Sequence, residues 1–230
     1  MSDNRFFSPE PPPQVLQDPP KGRVLCFAPH PDDETFSLGG TLHKHVRQGD
    51  AVHVVFVTSG ISGDPDGHYD AATYAEVRQS EARAALAELG VQEPEFWGFP
   101  DGTEVRQEDV DLVAPRLAGL VDQHEADIVY VPWPRDAHSD HWVVSKIAQI
   151  AAPQVKRSVR LIGYEGWSAC VPTHVVDVTD VYDTKLAACE KYVSQLKYVD
   201  YIRLVKGLNT YRSLFLEKGG LYGEAFVELD

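Results

Sequence analysis

Short runs of apolar residues alternate along the chain with longer stretches in which apolar and polar residues are mixed. The apolar runs, rich in β-branched side chains, occupy 24–28, 52–57, 95–99, 128–131, 159–162 and 174–178. Segments of helical length separate them, and the predicted helices are 38–47, 73–89, 108–124, 140–151, 181–196 and 201–217. Apolar strands joined by helices are typical of a parallel sheet buried on both faces. The pattern predicts an α/β fold in one domain, a Rossmann-like, doubly wound, mostly parallel sheet with helices on both faces.

The first 22 residues differ from the rest because six of them are prolines. Proline lacks a backbone donor and favours extended chain over helix. We therefore predict a proline-rich N-terminal arm at 1–22 and a domain at 23–230. A flexible tail is the favoured interpretation, since termini fray by default. The alternative is that Phe6, Phe7, Val15 and Leu16 pack on the domain or on a neighbouring subunit.

Composition excludes several classes of protein. The chain has 21 basic and 35 acidic residues and a formal charge of −14, without the clusters of Lys and Arg that nucleic-acid binding requires. No apolar run approaches the roughly 18 residues of a membrane span, so no membrane insertion is expected. Three widely spaced cysteines do not form a disulfide framework, and a reducing, cytoplasmic location is expected.

A polar cluster follows the first apolar run at the place where doubly wound folds bind ligands. Here His30 precedes three consecutive acids, Asp32, Asp33 and Glu34. So many acids at the end of a buried strand repel one another unless a cation compensates them, which points to a metal. The alternative is that Asp32 or Asp33 only caps the next helix.

A second polar cluster follows the run at 128–131. His138 and His141 are three residues apart and flank Asp140 at the start of a predicted helix. Imidazoles with carboxylates to orient them suit a metal site, whereas a polar loop with surface histidines is the alternative. Because the fold brings the ends of such strands together, the two clusters jointly favour a metal site.

Two other enzyme classes lack support. The glycine pair in the segment that follows the first strand, Gly39-Gly40, does not make the GxGxxG motif of dinucleotide-binding proteins. The stretch at 60–64, GISGD, lacks the last glycine of the GxSxG motif of serine hydrolases.

The chain resembles the PIG-L/LmbE-like zinc-dependent N-acetylglucosaminyl deacetylases. HPDDE at 30–34 and HSDH at 138–141 match the two specific motifs of that family, HPDDE and HxDH. Weaker matches are VTSG at 57–60, Arg78 with Glu81, FPDG at 99–102, SQ at 194–195 and EAF at 224–226.

The resemblance implies a role for each motif residue. His30, Asp33 and His141 would bind Zn²⁺ or another divalent transition metal, because such sites accept several metals. Asp32 would be the general base, and His138 the catalytic acid or the group that stabilises the oxyanion. Two imidazoles and one carboxylate leave the open position of a catalytic zinc site, in agreement with these roles.

The roles of the remaining site residues follow from elementary electrostatics and from the resemblance. As a neighbouring carboxylate, Asp140 is expected to accept a hydrogen bond from His138 and raise the pKa of that imidazole. The resemblance places Asp101 and Arg78 near the sugar. The alternatives are a turn aspartate before Gly102 and a helical ion pair of Arg78 with Glu81.

The resemblance implies a hydrolase that removes the N-acetyl group from a small molecule or glycoconjugate containing N-acetylglucosamine. A related metal-dependent hydrolase that acts on another amide or ester is one alternative, and a non-catalytic metal- or carbohydrate-binding protein is another. The expected partner is a small amino-sugar substrate, and a homo-oligomer is compatible with the resemblance.

Overall fold

The computed structural model describes residues 11–102 and 107–229. Its strands are β1 (Gln14–Leu16), β2 (Val24–Ala28), β3 (Val52–Thr58), β4 (Glu95–Phe99), β5 (Ile128–Pro132), β6 (Arg160–Tyr164), β7 (His174–Asp177) and β8 (Gly223–Leu229). Its α-helices are α1 (Asp33–Arg47), α2 (Ala71–Glu88), α3 (Gln107–Gln123), α4 (Ser139–Ala151), α5 (Tyr182–Cys189), α6 (Val193–Leu196) and α7 (Tyr201–Arg212).

The strands form one sheet in the order β1-β7-β8-β6-β5-β2-β3-β4. All neighbours pair in parallel except β8, which is antiparallel to both β6 and β7. The predicted fold class is confirmed. The chain leaves β2 toward β3 and β4 on one side and continues from β5 to β6 on the other. The carboxyl ends of β2 and β5 therefore lie side by side at the switch point where such folds bind ligands.

Two hydrophobic cores cover the two faces of the sheet. Val24, Cys26 and Ala28 of β2 point to the core beneath α1, α2 and α5. Leu25 and Phe27 point to the core beneath α3 and α4. Alternate residues of a strand lie on opposite faces, so a strand covered on both sides must be apolar throughout. This is why β2 appears in the sequence as an uninterrupted apolar run.

Part of the proline-rich segment belongs to the sheet. Residues Gln14–Leu16 form the edge strand β1, parallel to β7, and the Gln14 amide also bonds the carbonyl of Thr173 at 2.9 Å. At these residues the structure differs from the favoured interpretation as a flexible tail, because β7 would otherwise leave an unpaired edge. Phe6 and Phe7 lie outside the described residues.

The strand β8 is absent from the sequence prediction because acids interrupt its apolar pattern. Glu224 is fully buried and its carboxylate lies 2.7 Å from the ammonium of Lys185, which is also fully buried. The same carboxylate accepts hydrogen bonds from the amides of Gly40 at 2.9 Å and Thr41 at 2.7 Å. These contacts satisfy the charge of an acid within the core.

The helices also differ in detail from the prediction. α1 begins at Asp33 and is kinked at Leu38, where φ is −134°. The predicted helix at 181–196 is two helices, α5 and α6. In the described residues, no helix is both long and apolar enough to cross a membrane.

Candidate active site

The two polar clusters line one cavity at the carboxyl end of the sheet. The first lies in the turn from β2 into α1, and the second in the loop from β5 into α4. Five of the six candidate metal-binding and catalytic residues in the motifs, His30, Asp32, Asp33, His138 and Asp140, line the cavity wall. The sixth, His141, is fully buried behind it. The strand order therefore brings the two clusters together, as the sequence predicted.

Asp33 lies between two imidazoles. One carboxylate oxygen is 3.0 Å from Nδ1 of His30, and the other is 3.1 Å from Nε2 of His141. Burial disfavours the charge of Asp33, but the imidazoles of His141 and His30 hold the pKa of its carboxyl well below the usual range. Burial also disfavours charge on His30, yet Asp140 and Asp33 raise the pKa of this imidazole to about 10. The cluster therefore stabilises positive charge strongly at this position.

His141 has buried nitrogen atoms whose hydrogen-bonding capacity is unused. Both ring nitrogens are buried without a hydrogen bond in the described residues, although Asp33 and Asp136 lie 3.1 and 3.6 Å away. Gly166 packs so closely that an added Cβ would lie 2.9 Å from Nδ1 of His141. Because the ring is held in place by packing, Nε2 stays directed at the carboxylate of Asp33.

This set of donors fits a divalent transition metal. Donor atoms of His30, His138 and His141 all lie within 4.8 Å of one another, and Asp33 contacts two of these rings at shorter distances. The nitrogens of His141 make no hydrogen bond in the described residues and lie beside an ionised carboxylate, and imidazole and carboxylate are donors that zinc prefers. A metal would also satisfy nitrogens that otherwise lose the free energy of hydration without compensation.

The carboxylate of Asp140 does not accept the hydrogen bond from His138 that the sequence predicted. Its carboxylate instead lies 2.9 Å from Nε2 of His30 and accepts the amide of Gly102 at 3.0 Å. Nδ1 of His138 accepts a hydrogen bond from the backbone amide of Asp140 at 3.2 Å, because His138 caps the start of α4.

The expected increase in the pKa of His138 is therefore wrong. Burial, together with the positive charges of His30 and His141, lowers the pKa of this imidazole. Since Nδ1 accepts a hydrogen bond, the proton of neutral His138 lies on Nε2. The neutral ring is then a hydrogen-bond donor through Nε2.

Asp140→Asn is expected to lower the affinity of the protein for zinc by about 10- to 100-fold. A carboxylate that orients a metal-binding imidazole typically contributes this much, and Asp140 contacts Nε2 of His30. Competition against a chelator of known affinity measures the change. The exposed Asp66→Asn is the control, and equal affinities in the two variants would contradict the assigned role.

Arg78 borders the cavity but is almost fully buried beside Asp32. Only 2% of its surface is accessible, and its guanidinium donates to the Asp32 carboxylate at 3.0 Å. It also donates to the carbonyls of Pro31 at 2.8 Å and Gly60 at 3.2 Å. Burial raises the pKa of Asp32 above its ordinary value, although the charge of Arg78 opposes this effect. These contacts favour a role in positioning Asp32 over direct contact with a sugar.

The alternative of an ion pair between Arg78 and Glu81 is not observed. Glu81 accepts hydrogen bonds from the amide and the hydroxyl of Ser194, both at 2.7 Å. It therefore joins α2 to the start of α6 instead of neutralising Arg78.

Arg78→Lys is expected to lower kcat about tenfold while KM changes little. Lysine retains the charge but cannot donate to three oxygens in the plane of a guanidinium, and a lost hydrogen bond between charged groups has about this effect. Steady-state kinetics of acetate release measure it, with the exposed Arg83→Lys as control. A large rise in KM at constant kcat would instead indicate that Arg78 contacts the substrate.

Asp101 borders the cavity, but its carboxylate is hydrogen-bonded to the loop that follows β3. Its carboxylate accepts the amides of Gly60 at 2.8 Å and Ser62 at 2.7 Å. Gly60 has φ +69°, and an added Cβ there would lie 2.9 Å from Pro31 and 3.1 Å from the guanidinium carbon of Arg78. Asp101 thus fixes the loop that packs against Arg78.

Trp167 also lines the cavity, although no motif in the sequence predicted it. Its indole centroid is 5.4 Å from that of His138, and 62% of the residue is exposed. Trp133 and Trp142, which flank the second motif, do not line the cavity. Only its position in the chain could have indicated that Trp167 lines the cavity, because it follows β6 and β6 lies next to β5 in the sheet.

Comparison with known proteins identifies the family of the chain. The family profile PIG-L, described as GlcNAc-PI de-N-acetylase, matches residues 25–152. The chain belongs to the PIG-L family. The match begins in β2 and ends just after α4, so it contains both polar clusters.

Individual PIG-L relatives agree with this assignment. The chain is 28% identical over 186 residues to a diacetylchitobiose deacetylase from Thermococcus kodakarensis. The alignment covers 75% of this chain and 70% of the relative. It superposes on the N,N'-diacetylchitobiose deacetylase from Pyrococcus horikoshii with a TM-score of 0.79 and 23% identity, over 90% of this chain and 83% of that one. The relatives of the chain therefore include deacetylases of small molecules that contain N-acetylglucosamine.

The PIG-L fold also occurs in a protein with a different reaction. The chain superposes on a 4-carboxy-2-hydroxymuconate hydratase from Pseudomonas putida KT2440 with a TM-score of 0.75 and 22% identity, over 90% of this chain and 96% of that one. The fold alone therefore does not determine the chemistry, and the reaction must be argued from the site residues.

Proposed function

We propose that the protein is a zinc-dependent N-deacetylase that removes the acetyl group from a small molecule containing N-acetylglucosamine. The observation that carries this proposal is the contact of Asp33 with both His30 and His141 beside two further polar groups, Asp32 and His138, in one cavity. Membership of the PIG-L family and the names of the relatives support the substrate class.

His30, Asp33 and His141 would hold the metal. When bound, zinc supplies Lewis acidity toward the acetyl carbonyl and lowers the pKa of water to about 7. We prefer Asp33 to His138 as the third ligand because its carboxylate lies nearer to both imidazoles, at 3.0 and 3.1 Å. His138 then remains available to the substrate.

Asp32 would take the proton from the attacking water. Arg78 fixes one of its oxygens, which orients the carboxylate toward the cavity. Neutral His138 would donate a hydrogen bond from Nε2 to the oxyanion that develops on the acetyl oxygen. The amine that leaves needs a proton, and Asp32 would return the one that it took from water, while neutral His138 keeps its Nε2 proton. The products are acetate and the free amino sugar.

Two alternatives predict different behaviour. A hydrolase of another amide or an ester would use the same metal and the same base but would not release acetate from N-acetylglucosamine derivatives. A non-catalytic metal- or carbohydrate-binding protein would have no use for Asp32 and His138 beside three metal ligands. The presence of both side chains in the cavity therefore favours an enzyme.

The test is a measurement of metal content and acetate release on the same preparation. We expect about one zinc per chain and release of acetate from N-acetylated amino sugars, offered free, glycosidically linked and nucleotide-linked. A chelator should abolish the activity, and added zinc should restore it. His141→Gln should lose the metal, whereas the exposed His68→Gln should retain it. Absence of metal binding at neutral pH, or zinc-loaded protein without acetate release, would contradict the proposal.

A further inference from the structure

The cavity is larger than the polar site that it contains. Its volume is about 770 Å³, within the range of roughly 300 to 1,000 Å³ typical of sites for drug-sized ligands. The polar residues described above occupy one end. A second set of lining residues, here called the apolar wall, consists of Phe36, Val199, Tyr201, Leu204, Val205 and Leu208. A single sugar ring would leave much of this wall uncovered.

Most of the apolar wall belongs to α7, and the wall begins beside the catalytic centre. Tyr201, Leu204 and Leu208 recur on α7 with the spacing that places side chains on one helical face. Phe36 lies one helical turn after Asp33, and its ring stacks on that of Tyr201 with centroids 4.9 Å apart. The wall is therefore continuous with the site around Asp33.

Part of the apolar wall faces solvent. Leu204 is 48% exposed and Val199 is 37% exposed, so the cavity presents apolar surface that packing within the chain does not cover. Contiguous apolar surface beside a polar site often marks the place where a ligand binds. A ligand that covers these side chains would gain free energy by removing them from water.

The cavity offers little to an anionic ligand. Within residues 11–102 and 107–229, Arg78 is the single Lys or Arg that lines it, and this guanidinium is bound to Asp32 and two carbonyls. Of the other charged groups there, the Glu165 carboxylate pairs with Arg212. The other cationic group, His30, is held between Asp33 and Asp140, so a phosphate or carboxylate on the substrate would lose water without gaining an unpaired cation in the described part of the cavity.

We propose that the substrate is an N-acetylated amino sugar linked to an uncharged, apolar aglycone, which packs against the apolar wall. This inference rests on the proposed function and adds to it the class of group that the sugar carries. The acetamide would lie at the polar end beside Asp32 and His138. The aglycone would extend from the sugar toward Leu204 and Leu208 on α7.

The first test compares three β-glycosides of N-acetylglucosamine on the zinc-loaded enzyme. The aglycones are methyl, hexyl and 5-carboxypentyl, and the last two have similar length. Each buried methylene contributes about fourfold to binding, so kcat/KM for the hexyl glycoside should exceed that for the methyl glycoside at least tenfold. The 5-carboxypentyl glycoside should lose most of this gain. Equal values for the hexyl and methyl glycosides, or a preference for the carboxylate, would overturn the inference.

Variants of the wall locate the effect. Leu204→Ser and Leu208→Ser should each reduce the ratio of kcat/KM between the hexyl and methyl glycosides at least threefold. The control is Leu214→Ser, because Leu214 is a 73% exposed leucine just after α7 that does not line the cavity. It should leave the ratio unchanged. An unchanged ratio in both wall variants, in proteins whose thermal unfolding matches the wild type, would exclude the apolar wall as the site of the aglycone.

A binding measurement separates failure of this inference from failure of the proposed function. Calorimetric titration of zinc-loaded Asp32→Asn with the hexyl and methyl glycosides requires no turnover. We expect the hexyl glycoside to bind at least tenfold more tightly. If the wild type releases no acetate from any glycoside but this preference persists, the proposed reaction fails and the aglycone site stands. If acetate is released without a preference in binding, only the aglycone site fails, and absence of binding contradicts both.

Discussion

Replacing Asp32 by asparagine is expected to lower kcat for acetate release by about 10²- to 10⁴-fold while the protein keeps its metal. This range is typical for loss of a general base. Asparagine has nearly the same shape and can still accept the hydrogen bond from Arg78, which lies at 3.0 Å in the native protein. It cannot take a proton from water. The variant therefore removes the proposed chemistry and leaves the surrounding contacts in place.

The measurement is kcat together with the zinc content of each preparation. Asp66→Asn is a suitable control, because the side chain of Asp66 is 63% exposed on the loop before α2. It should match the wild type in both quantities. Two outcomes would contradict the role of Asp32: wild-type kcat at full zinc content, which would require another base, and loss of zinc together with activity, which would make Asp32 a ligand.

Lys185→Met is expected to reduce the free energy of unfolding by about 3–5 kcal/mol, the usual consequence of breaking a buried ion pair. The Lys185 ammonium lies 2.7 Å from the carboxylate of Glu224, and neither side chain is exposed. Methionine fills a similar volume but, among the described residues, leaves the carboxylate with only the amides of Gly40 and Thr41 as partners. A buried charge without its counter-ion is then the main cost.

Urea denaturation of the wild type and the variant measures this change. Lys191→Met is the matched control, since Lys191 lies 3.3 Å from Glu88 and both side chains are about 40% exposed. An exposed pair of this kind contributes about 1 kcal/mol at most. The double variant Lys185→Met with Glu224→Gln should recover part of the lost stability. Similar losses in the two single variants would show that the pair of Lys185 and Glu224 contributes no more to the free energy of unfolding than an exposed pair does.

The strands that were predicted are those whose burial on both faces gives an uninterrupted run of apolar residues in the sequence. β2 and β5 are apolar throughout because helices cover both of their faces. β8 was missed because Glu224 interrupts its pattern, and the partner that makes this acid tolerable is 39 positions away in the chain. β1 is only three residues long, too short for a periodicity to be recognised.

The composition of the site could be predicted, but the pairing of its side chains could not. The two motifs follow strands that the fold places side by side, so the cluster itself followed from topology. Asp140 was assigned to His138 because they are close in sequence, whereas its carboxylate contacts His30, 110 positions away. Arg78 reaches Asp32 across 46 positions. Which side chains contact each other depends on the directions in which they point, and spacing along the chain does not encode these directions.

The three-residue strand at the end of the sheet has a consequence for the behaviour of the protein in concentrated solution. An exposed strand edge can recruit a strand from another molecule and begin aggregation. Here the outermost strand, Gln14–Leu16, is short, and prolines without amide hydrogens lie on both sides of it, at 11–13 and 19–20. The segment therefore ends the sheet with an edge that offers few donors to a neighbour, while it covers the longer edge of β7. Removal of these residues would expose β7 and favour self-association.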